Sequence, residues 1–118
     1  MILVVDDDHA IVQTLTNILS EDGYEVRTAH SGEEAYGYLR DPQCKGMLLD
    51  MMMPGINGGA LLMLMASEQI KVPVVIMTSN PDFSEDELQE FPNVRRMIRK
   101  PFYAEELLPI IRELMPKP

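Results

Sequence analysis

The sequence has almost no cysteine, few basic residues and no long apolar run. Its single cysteine, Cys44, excludes a disulfide within the chain, and such scarcity is typical of proteins from reducing compartments. No apolar segment approaches the roughly 20 residues that a transmembrane helix needs. The N-terminal residues MILVVDDD contain no basic residue and turn acidic after the fifth position, unlike a secretory signal peptide. We therefore expect a cytoplasmic protein that does not contact the membrane.

Basic residues are outnumbered by acidic ones. Ten lysines and arginines stand against 19 aspartates and glutamates, which gives a formal net charge of −9. This charge would repel a phosphate backbone, so we expect no direct binding of nucleic acid. An acidic surplus can simply keep a protein soluble. That explanation does not account for Asp6, Asp7 and Asp8, which are consecutive and directly follow an apolar run.

The chain has the size and composition of one globular domain. Its 118 residues, 46% of them hydrophobic and 25% charged, are sufficient to form a single hydrophobic core. No linker, repeat or low-complexity stretch interrupts the sequence. We predict one domain over residues 1–118.

Short apolar segments alternate with amphipathic ones along the chain. The apolar segments predict strands at 2–5, 25–29, 46–49, 72–77 and 94–99. Apolar spacing and capping residues predict helices at about 9–19, 31–40, 60–69 and 103–115, and a short one from the capping box Ser84-Glu85-Asp86-Glu87. This alternation predicts an α/β fold, a doubly wound five-stranded parallel sheet with five helices on both faces. Such an arrangement is a flavodoxin-like, three-layer α/β/α sandwich.

Polar residues concentrate where these predicted strands end. In open α/β sheets, ligands bind beyond the carboxyl ends of the strands. Those ends carry Asp6, Asp7, Asp50, Thr78 and Lys100. Three carboxylates in one crevice would repel each other strongly without a cation. Because oxygen ligands without a histidine or cysteine cluster favour a hard ion, we expect Mg²⁺ or Mn²⁺.

The same set of groups is suited to holding a phosphoryl group. Lys100 supplies a positive charge, and the hydroxyl of Thr78 can donate a hydrogen bond to an anionic oxygen. A carboxylate can itself accept a phosphoryl group and form an acyl phosphate. Asp50 is the candidate acceptor, because it stands alone after its own strand.

Four short motifs follow the predicted strands in order. They are Leu3-Val4-Val5-Asp6-Asp7, Asp50-Met51-Met52-Met53-Pro54-Gly55-Ile56-Asn57-Gly58, Met77-Thr78-Ser79 and Lys100-Pro101-Phe102. Each motif is weak by itself, but the ordered set is highly specific. Over essentially its whole length the chain resembles the receiver domain of two-component response regulators.

The resemblance implies a phosphorelay function centred on one aspartate. Asp50 matches the phosphoacceptor, which takes its phosphoryl group from the phosphohistidine of a sensor histidine kinase or phosphotransfer protein. Asp7 matches the direct Mg²⁺ ligand and Asp6 the acid that holds the metal through water. Asp50 and the backbone carbonyl of Met52 would be further ligands. The implied protein is not a turnover enzyme, and its output would be a further domain or protein that recognises the phosphorylated state.

The resemblance also assigns roles to the residues around the acceptor. Lys100 would pair with the phosphoryl oxygens, Thr78 would move to hydrogen-bond them, and the Lys100-Pro101 peptide would be cis. Side chains two positions after the acceptor and two after the threonine flank the attacking water in this family. In this sequence those positions hold Met52 and Asn80.

Two positions depart from the family pattern. Most relatives carry an aromatic residue three positions before the lysine, where this chain has Met97. An alanine-glycine-alanine turn is usual in the stretch 89–96, which here contains Phe91-Pro92-Asn93 instead. The face that normally signals to partners is therefore expected to be unusual.

Two other functions remain open at this point. A haloacid-dehalogenase-like phosphatase places its nucleophilic aspartate after the first strand, where Asp6-Asp7-Asp8-His9-Ala10 offers the acids but not the fifth residue. The chain is also shorter than that fold. A receiver-like interaction module that is never phosphorylated is the second alternative, although the intact acids, Thr78 and Lys100 argue against it.

Overall fold

The computed structural model describes residues 1–53, 57–81, 83–84, 86 and 89–117. Strands and helices alternate along these residues, except between the fourth and fifth strands. The strands are β1 (Ile2–Val5), β2 (Val26–Ala29), β3 (Gly46–Asp50), β4 (Val74–Thr78) and β5 (Val94–Arg99). The helices are α1 (His9–Glu21), α2 (Gly32–Leu39), α3 (Gly58–Ser67) and α4 (Ala104–Leu114).

The five strands form one sheet in the order β2-β1-β3-β4-β5, and every neighbouring pair is parallel. Strands β1 and β3 lie side by side, with Val5 opposite Leu49. Because parallel strands place their carboxyl ends at one edge, the residues after β1 and at the end of β3 become neighbours. The predicted parallel five-stranded sheet of the flavodoxin-like fold is confirmed.

Both faces of the sheet are covered by helices. One face packs against α2 and α3 through Leu3, Val5, Met47, Leu49, Val74 and Ile76. The opposite face packs against α1 and α4 through Ile2, Val4, Leu48, Val75, Met77 and Ile98. Neighbouring strand residues alternate between two apolar layers, which is why the strands are apolar without interruption.

Local chemistry sets where several of these elements begin and end. The carboxylate of Asp8 accepts hydrogen bonds from the first backbone N–H groups of α1, and Gly23, with φ of +94°, follows its end. Helix α3 begins at Gly58, two residues earlier than predicted, because Asn57 caps it. Strand β4 begins at Val74 rather than at residue 72, after Pro73, which has no N–H to donate to a ladder.

The predicted number of five helices is wrong for the residues that the structure describes, which contain four. The missing helix was predicted from Ser84-Glu85-Asp86-Glu87, of which Glu85 and Glu87 lie outside the described residues. Described residues 83–84, 86 and 89–93 contain no α-helix. None of the four helices has the length and apolar character that a bilayer span requires.

Candidate functional site

Three carboxylates meet at the carboxyl edge of the sheet. Asp6 and Asp7 follow β1, and Asp50 is the last residue of β3. One carboxylate oxygen from each lies within 4.8 Å of the others. Asp6 and Asp50 are buried, whereas Asp7 is exposed. This oxygen-only arrangement, open to solvent on the side of Asp7, fits a hard divalent cation.

Lys100 brings one positive charge to the three acids. Its Nζ atom lies 2.6 Å from Oδ2 of Asp6 and 3.6 Å from Oδ2 of Asp50. The backbone N–H of Lys100 donates to the carbonyl of Thr78 at 2.8 Å, which holds the lysine beside the end of β4. The Lys100-Pro101 peptide is cis, as the resemblance implied. Because one ammonium group lies beside three carboxylates, the site carries a net negative charge when all four groups are ionised.

The environment of Asp50 makes its carboxyl group a weaker acid than a free aspartate. Burial, and to a smaller extent the neighbouring Asp6, raise the pKa of Asp50 to about 6. The backbone N–H of Met52, which donates to Oδ1 of Asp50 at 3.1 Å, and the charge of Lys100 act in the opposite direction. Burial has the larger effect because a carboxylate loses much of its hydration there. A divalent cation at this position would lower the pKa of Asp50, because it favours the ionised carboxylate.

Thr78 and Asn80 extend the site to the end of β4 and the residues that follow it. Thr78 is fully buried at the end of that strand, and its hydroxyl oxygen accepts a hydrogen bond from the backbone N–H of Asn80 at 3.1 Å. A hydroxyl that accepts one hydrogen bond still has its own proton to donate. Thr78 therefore keeps a hydrogen-bond donor at the carboxyl edge of the sheet, where Asp50 also lies.

The carboxyl edge of the sheet opens onto a cavity of about 680 Å³. Its polar end contains Asp6, Asp7, Asp50 and Lys100, with Met52 beside them. Its apolar end runs along α1 and past the loop after β5, and is lined by Ile11, Leu15, Ile18 and Phe102. The cavity therefore joins an acidic end to an apolar groove on the surface.

A glycine allows α3 to approach the acceptor strand closely. A Cβ atom added to Gly58 would lie 2.8 Å from Cα of Met51 and 3.1 Å from the backbone oxygen of Asp50. Only glycine fits at that separation without moving the backbone that follows β3. The close packing fixes the segment immediately after Asp50.

Comparison with known proteins identifies the family of the chain. The family model for the response regulator receiver domain matches residues 2–112. The chain belongs to the response regulator receiver domain family. It is similar to the response regulator MprA of Mycobacterium avium, with 34% identity over 97% of this chain and 50% of that protein. The chain thus spans about half the length of this relative.

Solved receiver domains have the same architecture. A CheY-like receiver domain protein from Methanospirillum hungatei superimposes with a TM-score of 0.83 and 30% identity, covering 97% of this chain and 92% of that one. Chemotaxis protein CheY4 of Vibrio cholerae superimposes with a TM-score of 0.83 and 28% identity, covering 96% of each chain. Receiver domains of this family act in two-component phosphorelay signalling, and membership counts against the phosphatase alternative.

The sequence does not predict three contacts that lie beside the site. The backbone N–H of Asp8 donates to Oδ1 of Asp6 at 3.0 Å, while its own side chain caps α1. The ring of His30 stacks on His9 with centroids 3.9 Å apart. Arg99 donates to the backbone carbonyls of Asn80 and Phe83 at 2.9 and 2.6 Å. An aspartate directly before a helical pattern is an N-cap signal, so only the role of Asp8 was open to prediction.

Proposed function

We propose that Asp50 accepts a phosphoryl group from a phosphohistidine of a partner protein. In this step the P–N bond to the histidine breaks, and a P–O bond to the carboxylate of Asp50 forms. The position of Asp50 carries the proposal, because it ends β3 beside two further acids and 3.6 Å from the ammonium of Lys100. The stored signal is an aspartyl phosphate.

The acids around Asp50 are assigned to a metal ion. Asp7, Asp6 and Asp50, together with the backbone carbonyl of Met52, would hold Mg²⁺ or Mn²⁺. A cation held by these residues would supply positive charge to the transferring phosphoryl group. Without it, the phosphoryl group would enter an edge that already carries three carboxylates within 4.8 Å of one another.

Lys100 and Thr78 are assigned to the phosphoryl oxygens. The ammonium of Lys100 is close enough to Asp50 to pair with a group attached there. Thr78 has a hydroxyl proton to donate once it turns toward the acceptor, and this turn would release the backbone N–H of Asn80 that it accepts at 3.1 Å. Phosphorylation at Asp50 would in this way alter the loop after β4.

The switch that follows would use Met97 instead of an aromatic ring. Met97 is partly buried and packs against the same apolar layer as the partly buried Phe83 and Phe91. A thioether side chain repacks readily because it is unbranched and flexible. We therefore propose a smaller rearrangement of the face formed by β5 and the segment before it.

Residues 1–118 are proposed to act as one cytoplasmic domain. Its donor would be a sensor histidine kinase or phosphotransfer protein, and its output a protein or domain that recognises the phosphorylated surface. The chain covers about half the length of the curated relatives that it matches. The activity of a full-length regulator is therefore also a proposal. The domain stores one phosphoryl group and does not turn over substrate.

Incubation with acetyl phosphate and Mg²⁺ tests the proposal. Intact mass should show the addition of one phosphoryl group per chain, and Asp50→Asn should abolish it. Asp8→Asn is the matched control, because Asp8 lies in the same acidic segment and asparagine is an equally good N-cap. Continuous hydrolysis of a generic phosphate ester would instead favour the phosphatase alternative. A protein that takes up no phosphoryl group would favour the non-phosphorylated module.

A further inference from the structure

Two of the ten methionines have exposed side chains. Met52 is 63% exposed and Met63 is 65% exposed, whereas the others are buried or partly buried. Exposed thioethers are the ones that oxidants reach first. Met52 and Met63 are therefore almost equally exposed, but they lie at different places on the surface.

Only one of the two belongs to the acceptor cavity. Met52 lines the cavity together with Asp50 and Lys100, and its backbone N–H donates to the carboxylate of Asp50 at 3.1 Å. Met63 lies on the outer surface of α3, and the residues that line this cavity in the described part of the chain do not include it. Chemical change at Met52 therefore occurs beside Asp50, whereas change at Met63 does not.

We propose that Met52 is a site of reversible oxidation that shortens the life of the aspartyl phosphate. The inference rests on the proposed function of Asp50. The co-reactant is a peroxide. The thioether sulfur attacks one peroxide oxygen, the O–O bond breaks and an S–O bond forms. The sulfur is oxidised by two electrons, and the other peroxide oxygen leaves with a proton as water when the oxidant is hydrogen peroxide.

Oxidation to the sulfoxide changes how the side chain of Met52 can hydrogen-bond to water. A thioether sulfur is a weak hydrogen-bond acceptor and cannot orient a water molecule. A sulfoxide is polar and carries a strongly accepting oxygen at the end of the same flexible side chain. Loss of the phosphoryl group requires a water that attacks opposite the oxygen of Asp50. A sulfoxide in this cavity can hold such a water, so hydrolysis becomes faster.

The reactivity of Met52 is tested by mild treatment with hydrogen peroxide. Peptide mass mapping should show that Met52 and Met63 gain one oxygen at similar rates and before the buried methionines. Oxidised and untreated samples are then phosphorylated with acetyl phosphate and Mg²⁺, freed of the donor, and followed by intact mass. The untreated protein measures the proposed function itself.

The comparison of Met52→Leu with Met63→Leu tests the proposed effect. Leucine preserves the size of methionine and cannot be oxidised. Peroxide should shorten the phosphoryl lifetime several-fold in the unmodified protein and in Met63→Leu, and leave it unchanged in Met52→Leu. Methionine sulfoxide reductase should restore the longer lifetime. Met52→Gln, which places an amide oxygen at a similar position, should give a short lifetime without peroxide.

Two outcomes separate this inference from the proposed function. If the untreated protein takes up no phosphoryl group, the proposed function fails and the effect on lifetime fails with it. If uptake is normal but peroxide shortens the lifetime equally in Met52→Leu, or in none of the proteins, the assignment of Met52 is wrong and that of Asp50 stands.

Discussion

Lys100 and Asp6 are 94 positions apart in the chain, yet Nζ of the lysine lies 2.6 Å from Oδ2 of the aspartate. The same ammonium is 3.6 Å from Asp50. Before phosphorylation, the lysine is therefore paired more closely with Asp6 than with the proposed acceptor. A phosphoryl group on Asp50 would add negative charge next to this lysine and draw it away from Asp6.

Mg²⁺ is expected to stabilise the fold through Asp7. Binding to the native state alone adds about 1.4 kcal/mol when the ion is at ten times its dissociation constant. For a domain of this size, that corresponds to a rise in Tm of about 5 °C. Thermal melts with and without Mg²⁺ measure the rise, and Asp7→Ala should abolish it. Asp8→Asn should retain it, and an unchanged rise in Asp7→Ala would place the metal elsewhere.

The aspartyl phosphate is expected to be long-lived in the unoxidised protein, with a lifetime nearer an hour than a minute. Neither flanking position supplies a base for the attacking water, because Met52 has a thioether and Asn80 has no titratable group. Met52→Asn should shorten the lifetime several-fold, which corresponds to roughly 1 kcal/mol of barrier. Decay of the label is followed by intact mass after removal of the donor. Loss within seconds from the unmodified protein would refute this assignment of the two positions.

Arg99 is expected to hold the segment after β4. Its guanidinium bonds the carbonyls of Asn80 and Phe83, and the backbone N–H of Phe83 donates to that same Asn80 carbonyl at 3.2 Å. Arg99→Ala should cost about 1 kcal/mol of stability and speed hydrogen exchange at the Phe83 amide. Arg96→Ala, which removes only an exposed ion pair with Glu113, is the control. Equal exchange at Phe83 in both variants would show that Arg99 does not hold the segment.

Asp22 is expected to make stability depend on acid pH. The Arg112 guanidinium, hydrogen-bonded to both oxygens of Asp22, holds the pKa of that carboxyl below its ordinary value of 3.8. The unfolded chain then binds the proton more readily than the native one, so stability rises with pH. The contribution is complete above the ordinary pKa and is lost as the pH falls through the lowered one.

Urea unfolding of Asp22→Asn at neutral and acid pH measures this contribution. The variant should be less stable at neutral pH and should lose less stability on acidification than the unmodified protein. Asp41→Asn is the control, because its side chain accepts the backbone N–H of Gln43 and asparagine preserves that bond. The same loss on acidification in Asp22→Asn as in the unmodified protein would contradict the assignment.

The strand ends explain why much of the site could be predicted from the sequence. Asp6 and Asp50 directly follow or end an apolar run, Lys100 follows the predicted fifth strand, and a parallel sheet brings such positions to one edge. The predicted start of α3 lies two residues after the observed one. Gly58 and Gly59 have low helix propensity, and the cap at Asn57 overcomes it.

Contacts that depend on the reach of single side chains could not be predicted. The pair of Asp22 and Arg112 joins the end of α1 to the last turn of α4, and no local pattern indicates it. The stacking of His9 on His30 depends on the distance between the ends of β1 and β2. The exposure of Met52 depends on the course of the chain after β3. Met51, Met52 and Met53 are consecutive, and no sequence pattern indicates which of them is exposed.

The central claim is that Asp50 is the phosphoacceptor, and chemical trapping locates the modified residue most directly. Borohydride reduces an aspartyl phosphate to homoserine and leaves an ordinary aspartate intact. After phosphorylation, reduction and proteolysis, peptide sequencing by mass spectrometry should find homoserine at position 50 only, and none in a sample that received no donor. Homoserine at Asp6 or Asp7, or stoichiometric label with Asp50 left intact, would contradict the account.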